Sequence, residues 1–170
     1  MHERAADLIE RLGLRRHPEG GWYRETHRSA NIVEYDDRYR TVKRSAMTSI
    51  YYLLEGEDFS AFHRLRSDEI WYFHAGTTLA LYAIEPSGAL RVHRLGDACR
   101  EGACTYSVAI AAGTWLGARL EDKEGWALTS ACVAPGFEFE DFELAGRTVL
   151  TAAFPQHGPI IASLTRGGSS

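Results

Sequence analysis

The chain has 170 residues, 45% of them hydrophobic and 11% aromatic, which suffices for one domain with a substantial core. A formal charge of -4 and a pI near 6.0 leave no basic footprint for nucleic acid or an anionic membrane, so small molecules and proteins are the expected partners. No apolar run approaches the roughly 20 residues that span a bilayer. The N-terminus is charged and periodic instead of signal-like, and the expected location is the cytoplasm.

Ala5, Leu8, Ile9 and Leu12 fall at helical spacing with Gly13 as a stop, which predicts a short amphipathic helix. Pro18 and the pair Gly20-Gly21 then make a turn before a polar-aromatic strand from Trp22 to His27. Residues 31 to 45 are charged and aperiodic and read as a mobile loop. From MTSIYYLLEG onward strands recur at short intervals, each closed by a turn such as Glu55-Gly56, Pro86-Ser87-Gly88 or Pro135-Gly136. In FEFEDFEL the phenylalanines read as anchors and the acids as a solvated face. The tail from Arg147 forms short helical turns broken at Pro155 and Pro159, and residues 167–170 read as disordered. Cys99, Cys104 and Cys132 show no C-x-x-C pair and read as reduced thiols. Many short strands and few helices predict an all-β jelly roll spanning residues 1–166 as one domain.

The stretch DFSAFHRLRSDEIWYFHAGTTLAL, from Asp58 to Leu81, organises the rest. Two alternating runs meet at a polar turn and read as a hairpin. Ala61, His63 and Leu65 share one face, while Glu69, Trp71 and Phe73 share another. If the two faces coincide, an imidazole and a carboxylate lie in an aromatic hollow. His74 has the opposite parity to Glu69 and points away unless a bulge intervenes.

This stretch resembles the first signature of the cupin superfamily, roughly G-x5-H-x-H-x3-E-x6-G, and stands here as His63-x-Leu65-x3-Glu69-x6-Gly76. The second signature, P-x-G-x2-H, is similar to Ala111-x-Gly113-x2-Leu116. The motifs HPEGGWYRE, SIYYLL, HRLRSDEIWYFHAG, AGTWLGARL, PGFEFEDFEL and FPQH resemble one cupin branch that carries a domain-of-unknown-function label. The resemblance implies a double-stranded β-helix and a homodimer, and it carries no reaction with it. Metal-dependent cupins usually use three imidazoles and a carboxylate. Leu65 and Leu116 stand where two ligands would be, which leaves His63 and Glu69 as the only candidate metal ligands and predicts no bound cofactor.

Without a metal, His63 is the candidate general base, Glu69 its partner that orients the ring, and a tyrosine the candidate acid. Trp71, Phe73 and Trp115 are candidates for the pocket wall, and Arg24 and Arg119 for gripping a carboxylate or phosphate. His93 and Lys43 read as surface residues. The reading is a metal-independent isomerase or epimerase acting on a sugar-like or carbonyl substrate, comparable in architecture alone to dTDP-4-dehydrorhamnose 3,5-epimerase. The alternatives are a non-catalytic module that binds a small ligand and a metal-dependent enzyme with an incomplete ligand set.

Overall fold

A computed structural model describes residues 2–37 and 40–167. Helix α1 (Glu3–Leu12) begins at His2, whose ring accepts from the Arg4 amide. It ends at Gly13, which adopts a left-handed φ of 60° and returns hydrogen bonds to the last turn. Strands β1 (Arg15–Arg16), β2 (Trp22–Arg28), β3 (Ile32–Asp37), β4 (Arg40–Ser45) and β5 (Thr48–Glu55) follow. The centre of the chain supplies β6 (Phe59–Leu65), β7 (Asp68–Gly76), β8 (Leu79–Ile84) and β9 (Leu90–Leu95). After them come β10 (Ser107–Ile110), β11 (Trp115–Leu120), β12 (Trp126–Ala134) and β13 (Phe142–Leu144). Helices α2 (Arg147–Ala153) and α3 (Gly158–Ser163) close the chain around a 3-10 turn at Pro155–His157; Pro155 stops α2, while Pro159 sits in the first turn of α3, where its missing N–H costs nothing.

The strands form two facing antiparallel sheets, ordered β1-β2-β5-β12-β7-β10 and β13-β6-β11-β8-β9. Between them lies a core that includes Leu54, Trp71, Leu81, Leu95, Leu116 and Ala131. Each sheet also has its outer face partly covered. The apolar stripe of α1 packs Ala5, Leu8 and Ile9 against Leu53, Trp22 and Leu128 of the six-stranded sheet. On the other side Leu150, Ile161 and Leu164 cover Phe62 and Ile84 of the five-stranded sheet. Four layers result, and the double cover explains why β6 is buried along nearly its whole length and not on alternate residues alone.

The expected jelly roll is present, with three departures from the sequence reading. First, β6 and β7 are not a hairpin, because they belong to different sheets and pair with β11 and β12 respectively. Alternation identifies two strands and their faces, but it does not specify the partner of either. Second, residues 32–37 and 40–45 form a hairpin, β3 with β4, where a loop was expected. This hairpin is separate from both large sheets, and Arg44 ties it to the body through Asp141 at 2.6 and 3.1 Å. Third, that pairing makes Asp141 a buried partner instead of part of a solvated acidic face. Apart from Gly167, the tail expected to be disordered lies outside the described residues. The three cysteines carry no disulfide, and among the described residues no helix is long and apolar enough to cross a membrane.

Candidate functional site

Because β6 and β7 belong to the two facing sheets, the turn between them brings His63 and Glu69 into one interior hollow of about 330 Å³. Glu69 and Trp71 point inward by simple alternation along β7. On β6 the geometry is less simple. Its pairing with β11 runs from His63 opposite Leu116 to Ser60 opposite Ala118, so Ala61 and Phe62 together oppose the single residue Gly117. This bulge resets the alternation and turns both Ser60 and His63 toward the interior.

The floor of the hollow comes from the His17-to-Gly21 loop. Gly20 and Gly21 have φ of 118° and 68°, conformations that L side chains rarely adopt. A Cβ at Gly20 would lie 2.1 Å from the Phe59 carbonyl oxygen, and one at Gly21 would lie 2.7 Å from the Tyr52 hydroxyl. The loop therefore lies against β5 and β6. Tyr52 donates to the Gly20 carbonyl at 2.8 Å, and the Ala61 amide donates to the Glu19 carbonyl at 2.8 Å. With its backbone so placed, Glu19 enters the interior and is 5% exposed.

Glu19 Oε1 accepts from the Ser60 hydroxyl at 2.9 Å, and Oε2 lies 3.1 Å from His63 Nδ1. The same Nδ1 is 2.9 Å from the Ala61 carbonyl oxygen, which can only accept. Nδ1 therefore carries the proton and Nε2 is left as the basic edge of the ring. Burial pushes the His63 imidazole below its usual range, against the opposing pull of Glu69, so the ring is neutral at physiological pH. His17 shows the opposite tautomer: its Nδ1 accepts from the Glu19 amide at 3.3 Å, and burial lowers its pKa too. The His63 ring stacks on Phe142 at 5.5 Å between centroids.

Across the hollow, burial pushes the Glu69 carboxyl up to about 7, with His63 and Trp71 opposing the rise and Glu19 adding to it. Glu19 is raised by burial as well. The Trp71 indole lies near enough to favour the charged form of Glu69, yet its Nε1 is buried without a hydrogen bond of ordinary geometry. Leaving such a donor unpaired costs roughly 1–3 kcal/mol. The wall is completed by Tyr23, Ile50, Leu65, Phe137 and Phe139. At the mouth Arg28 is held between Glu25 and Glu138 at 2.9 and 2.6 Å, while Arg15 lies 5.0 Å over the Tyr23 ring.

Of the residues singled out in the sequence, His63, Glu69 and Trp71 line this hollow and the others do not. Phe73 faces inward but packs into the inter-sheet core beyond it. Trp115 and Arg119 alternate with inward Leu116, Ala118 and Leu120, so they occupy the opposite face of β11. There Arg64 lies 4.6 Å over the Trp115 ring, and Arg119 donates to the Tyr82 hydroxyl at 3.2 Å. Arg24 lies between Tyr23 and Glu25, which line the hollow, and so points out toward Tyr51, at 5.9 Å from its ring. His74 is the extra residue of a bulge against β12 and faces out, 2.6 Å from the Ser130 hydroxyl. Lys43 pairs with Glu34 at 2.7 Å, and His93 is partly buried on β9.

The donor set does not fit the usual cupin metal. Leu65 and Leu116 are buried at the two replaced positions, which leaves His63 Nε2 and Glu69 as the remaining donors of the pattern. Among the described residues no group of three or more His, Cys, Asp or Glu side chains is disposed to hold a metal ion.

Two facing antiparallel sheets around a polar interior hollow define a cupin-type jelly roll. The chain belongs to the cupin superfamily, within the family of domain of unknown function DUF985, whose model matches residues 6–145. An X-ray structure of a protein from Shewanella oneidensis is 38% identical with a TM-score of 0.85, covering 96% of this chain and 98% of that one. A hypothetical protein from Leishmania major is 33% identical with a TM-score of 0.85, covering 96% and 99%. At the level of fold alone, the chain is similar to the oxalate decarboxylase of Lactobacillus farciminis solved as a formate complex. That match is 14% identical with a TM-score of 0.53, covering 91% of this chain and 42% of that one. No curated protein matches significantly.

Proposed function

We propose that the hollow is a metal-independent acid–base site that isomerises or epimerises a small carbonyl-bearing or sugar-like molecule. One observation carries this reading: a neutral buried imidazole with its Nε2 edge free shares the hollow with a buried carboxyl poised at about 7. His63 Nε2 accepts a proton from the carbon beside the carbonyl as the Glu69 carboxyl gives its proton to the carbonyl oxygen, which forms an enol. His63 then returns its proton to the former carbonyl carbon, as the neighbouring hydroxyl gives its proton to Glu69. Alternatively it returns its proton to the original carbon once the enol has turned its other face to the ring, as the enol hydroxyl gives its proton back to Glu69. Either route restores both groups. Glu19 positions His63 and does not touch the substrate. Tyr52 hydroxyl hydrogen is committed to Gly20, so the acid is Glu69 and not this tyrosine.

The test is solvent deuterium incorporation into a panel of aldoses, ketoses and oxo acids. Wild type should catalyse exchange, and His63→Ala should lower the rate roughly 10²–10⁴-fold. A second reading, a binding module, draws on the aromatic wall of Tyr23, Phe137, Phe139 and Phe142. It prevails if a panel member binds without exchanging hydrogen in wild type. For the assembly we propose a homodimer, supported by Ile70 and Tyr72, which stay 36% and 39% exposed on the outer face of β7.

A further inference from the structure

Two atoms among the described residues are buried side-chain nitrogens without a partner, Trp22 Nε1 and Trp71 Nε1. Trp22 belongs to the outer cluster under α1, with Arg16 lying 4.0 Å over its ring. Trp71 is different: it lines the hollow and is only 1% exposed. Folded proteins pair nearly all their buried donors, so an exception inside a cavity marks a group that a ligand completes. An indole N–H can only donate, hence its missing partner is an acceptor, and an uncharged or anionic oxygen suits it. Edge-on packing against Tyr52 at 5.2 Å fixes the ring and so fixes the direction of the bond.

At the mouth a second observation narrows the ligand. Both Arg15 and Arg28 line the hollow, but Arg28 is already paired with Glu25 and Glu138. The guanidinium of Arg15 makes no ion pair or hydrogen bond among the described residues and lies against the face of Tyr23. A guanidinium held on an aromatic ring presents its edge to a planar anion, above all a carboxylate.

We infer that the hollow takes a small oxo acid whose carbonyl oxygen accepts from Trp71 Nε1 and whose carboxylate is held by Arg15. The inference rests on the acid–base reading of the hollow and names its substrate class. Trp71 is then the residue that reads the oxygen undergoing enolisation, beside the Glu69 carboxyl that protonates it. A hydrocarbon at that position leaves the indole unpaired, so the site discriminates against acids that lack the oxo group.

The test follows the indole N–H of Trp71 in the full chain, labelled with nitrogen-15, during titration with 2-oxobutyrate and separately with butyrate. The chain has four tryptophans, so the signal of Trp71 is assigned by its loss in Trp71→Phe. If that variant does not fold, elimination through Trp22→Phe, Trp115→Phe and Trp126→Phe serves. The expected result is a saturable downfield shift with 2-oxobutyrate and none with butyrate, and half-saturation about tenfold or more higher in Arg15→Gln. A Trp71 signal that does not move with 2-oxobutyrate, moves equally with butyrate, or only follows the titration of Glu69 in ligand-free protein overturns the inference. Deuterium exchange at C3 of 2-oxobutyrate, read in the same sample, separates the two readings. A shift without exchange supports the ligand class and defeats the isomerase. Exchange into another carbonyl compound, lost in His63→Ala while the Trp71 signal stays fixed with 2-oxobutyrate, does the reverse.

Discussion

Glu69 is a carboxyl that the fold discourages from ionising, and this has a measurable effect on stability. Its folded pKa of about 7 lies above the value of 4.5 usual for a glutamate. The folded state therefore holds the proton more tightly than the unfolded chain does. The stabilisation that this supplies is complete below about pH 4.5 and is lost as pH rises through about 7. His63 and His17 are depressed by burial and act in the opposite sense, losing stability as pH falls below 6.5. Glu69→Gln isolates the first effect. Urea unfolding at a series of pH values should show the variant gaining on wild type as pH rises, by roughly 3 kcal/mol at the plateau above neutrality. A constant difference across that range would mean that Glu69 is not perturbed. At the same scale, Glu19→Ala leaves Ser60 and the Nδ1 edge of His63 without their carboxylate. It should destabilise the fold by roughly 1–3 kcal/mol and leave the His63 pKa below its usual range in an NMR titration, because burial and not Glu19 sets the direction.

Three elements deliver the site, and they differ in how far the sequence announces them. Strand β7 is legible: alternation placed Glu69 and Trp71 together, and both line the hollow. Strand β6 is half legible. Its bulge opposite Gly117 cannot be read from residue types, since Ala61 and Phe62 look like ordinary members of an alternating run. The His17-to-Gly21 loop is the least legible, because a loop has no period to assign a face. Its one signal is an acid held between a proline and two adjacent glycines, a place where the backbone conformation and not the side chain decides the location. Arg24 drew attention through that same motif, but strand parity sends it outward. Gly21→Ala should test the loop directly. The substitution combines an unfavourable φ of 68° with a Cβ 2.7 Å from the Tyr52 hydroxyl, so a loss above about 1 kcal/mol is expected in thermal unfolding. Phe62→Ala, which removes the ring that α2 and α3 cover, should cost about 3–5 kcal/mol without altering the inward residues.

At the level of the whole molecule, the double cover of helices leaves part of the six-stranded sheet bare. Ile70 and Tyr72 of β7 remain 36% and 39% exposed. Sedimentation velocity on wild type and Tyr72→Glu should therefore give a dimer and a weakened dimer respectively. A monomeric wild type at micromolar concentration would remove the homodimer. The fold class was readable from strand density and turn spacing, whereas the pairing of β3 with β4 was not, since its charged residues carry no alternation of apolar side chains.

The bulge in β6 has a further consequence, for how this chain can vary in length. Ser60 and His63 face the same way only because two residues oppose Gly117. Removing either one would restore regular pairing with Ser60 and His63 two residues apart and still on one face, so the bulge is a place where the strand can lose a residue without turning its lining over. The surrounding loops and the bulge itself can absorb the loss of a residue, but elsewhere in this strand the same loss would exchange the polar lining of the hollow for the apolar contacts that hold the C-terminal helices.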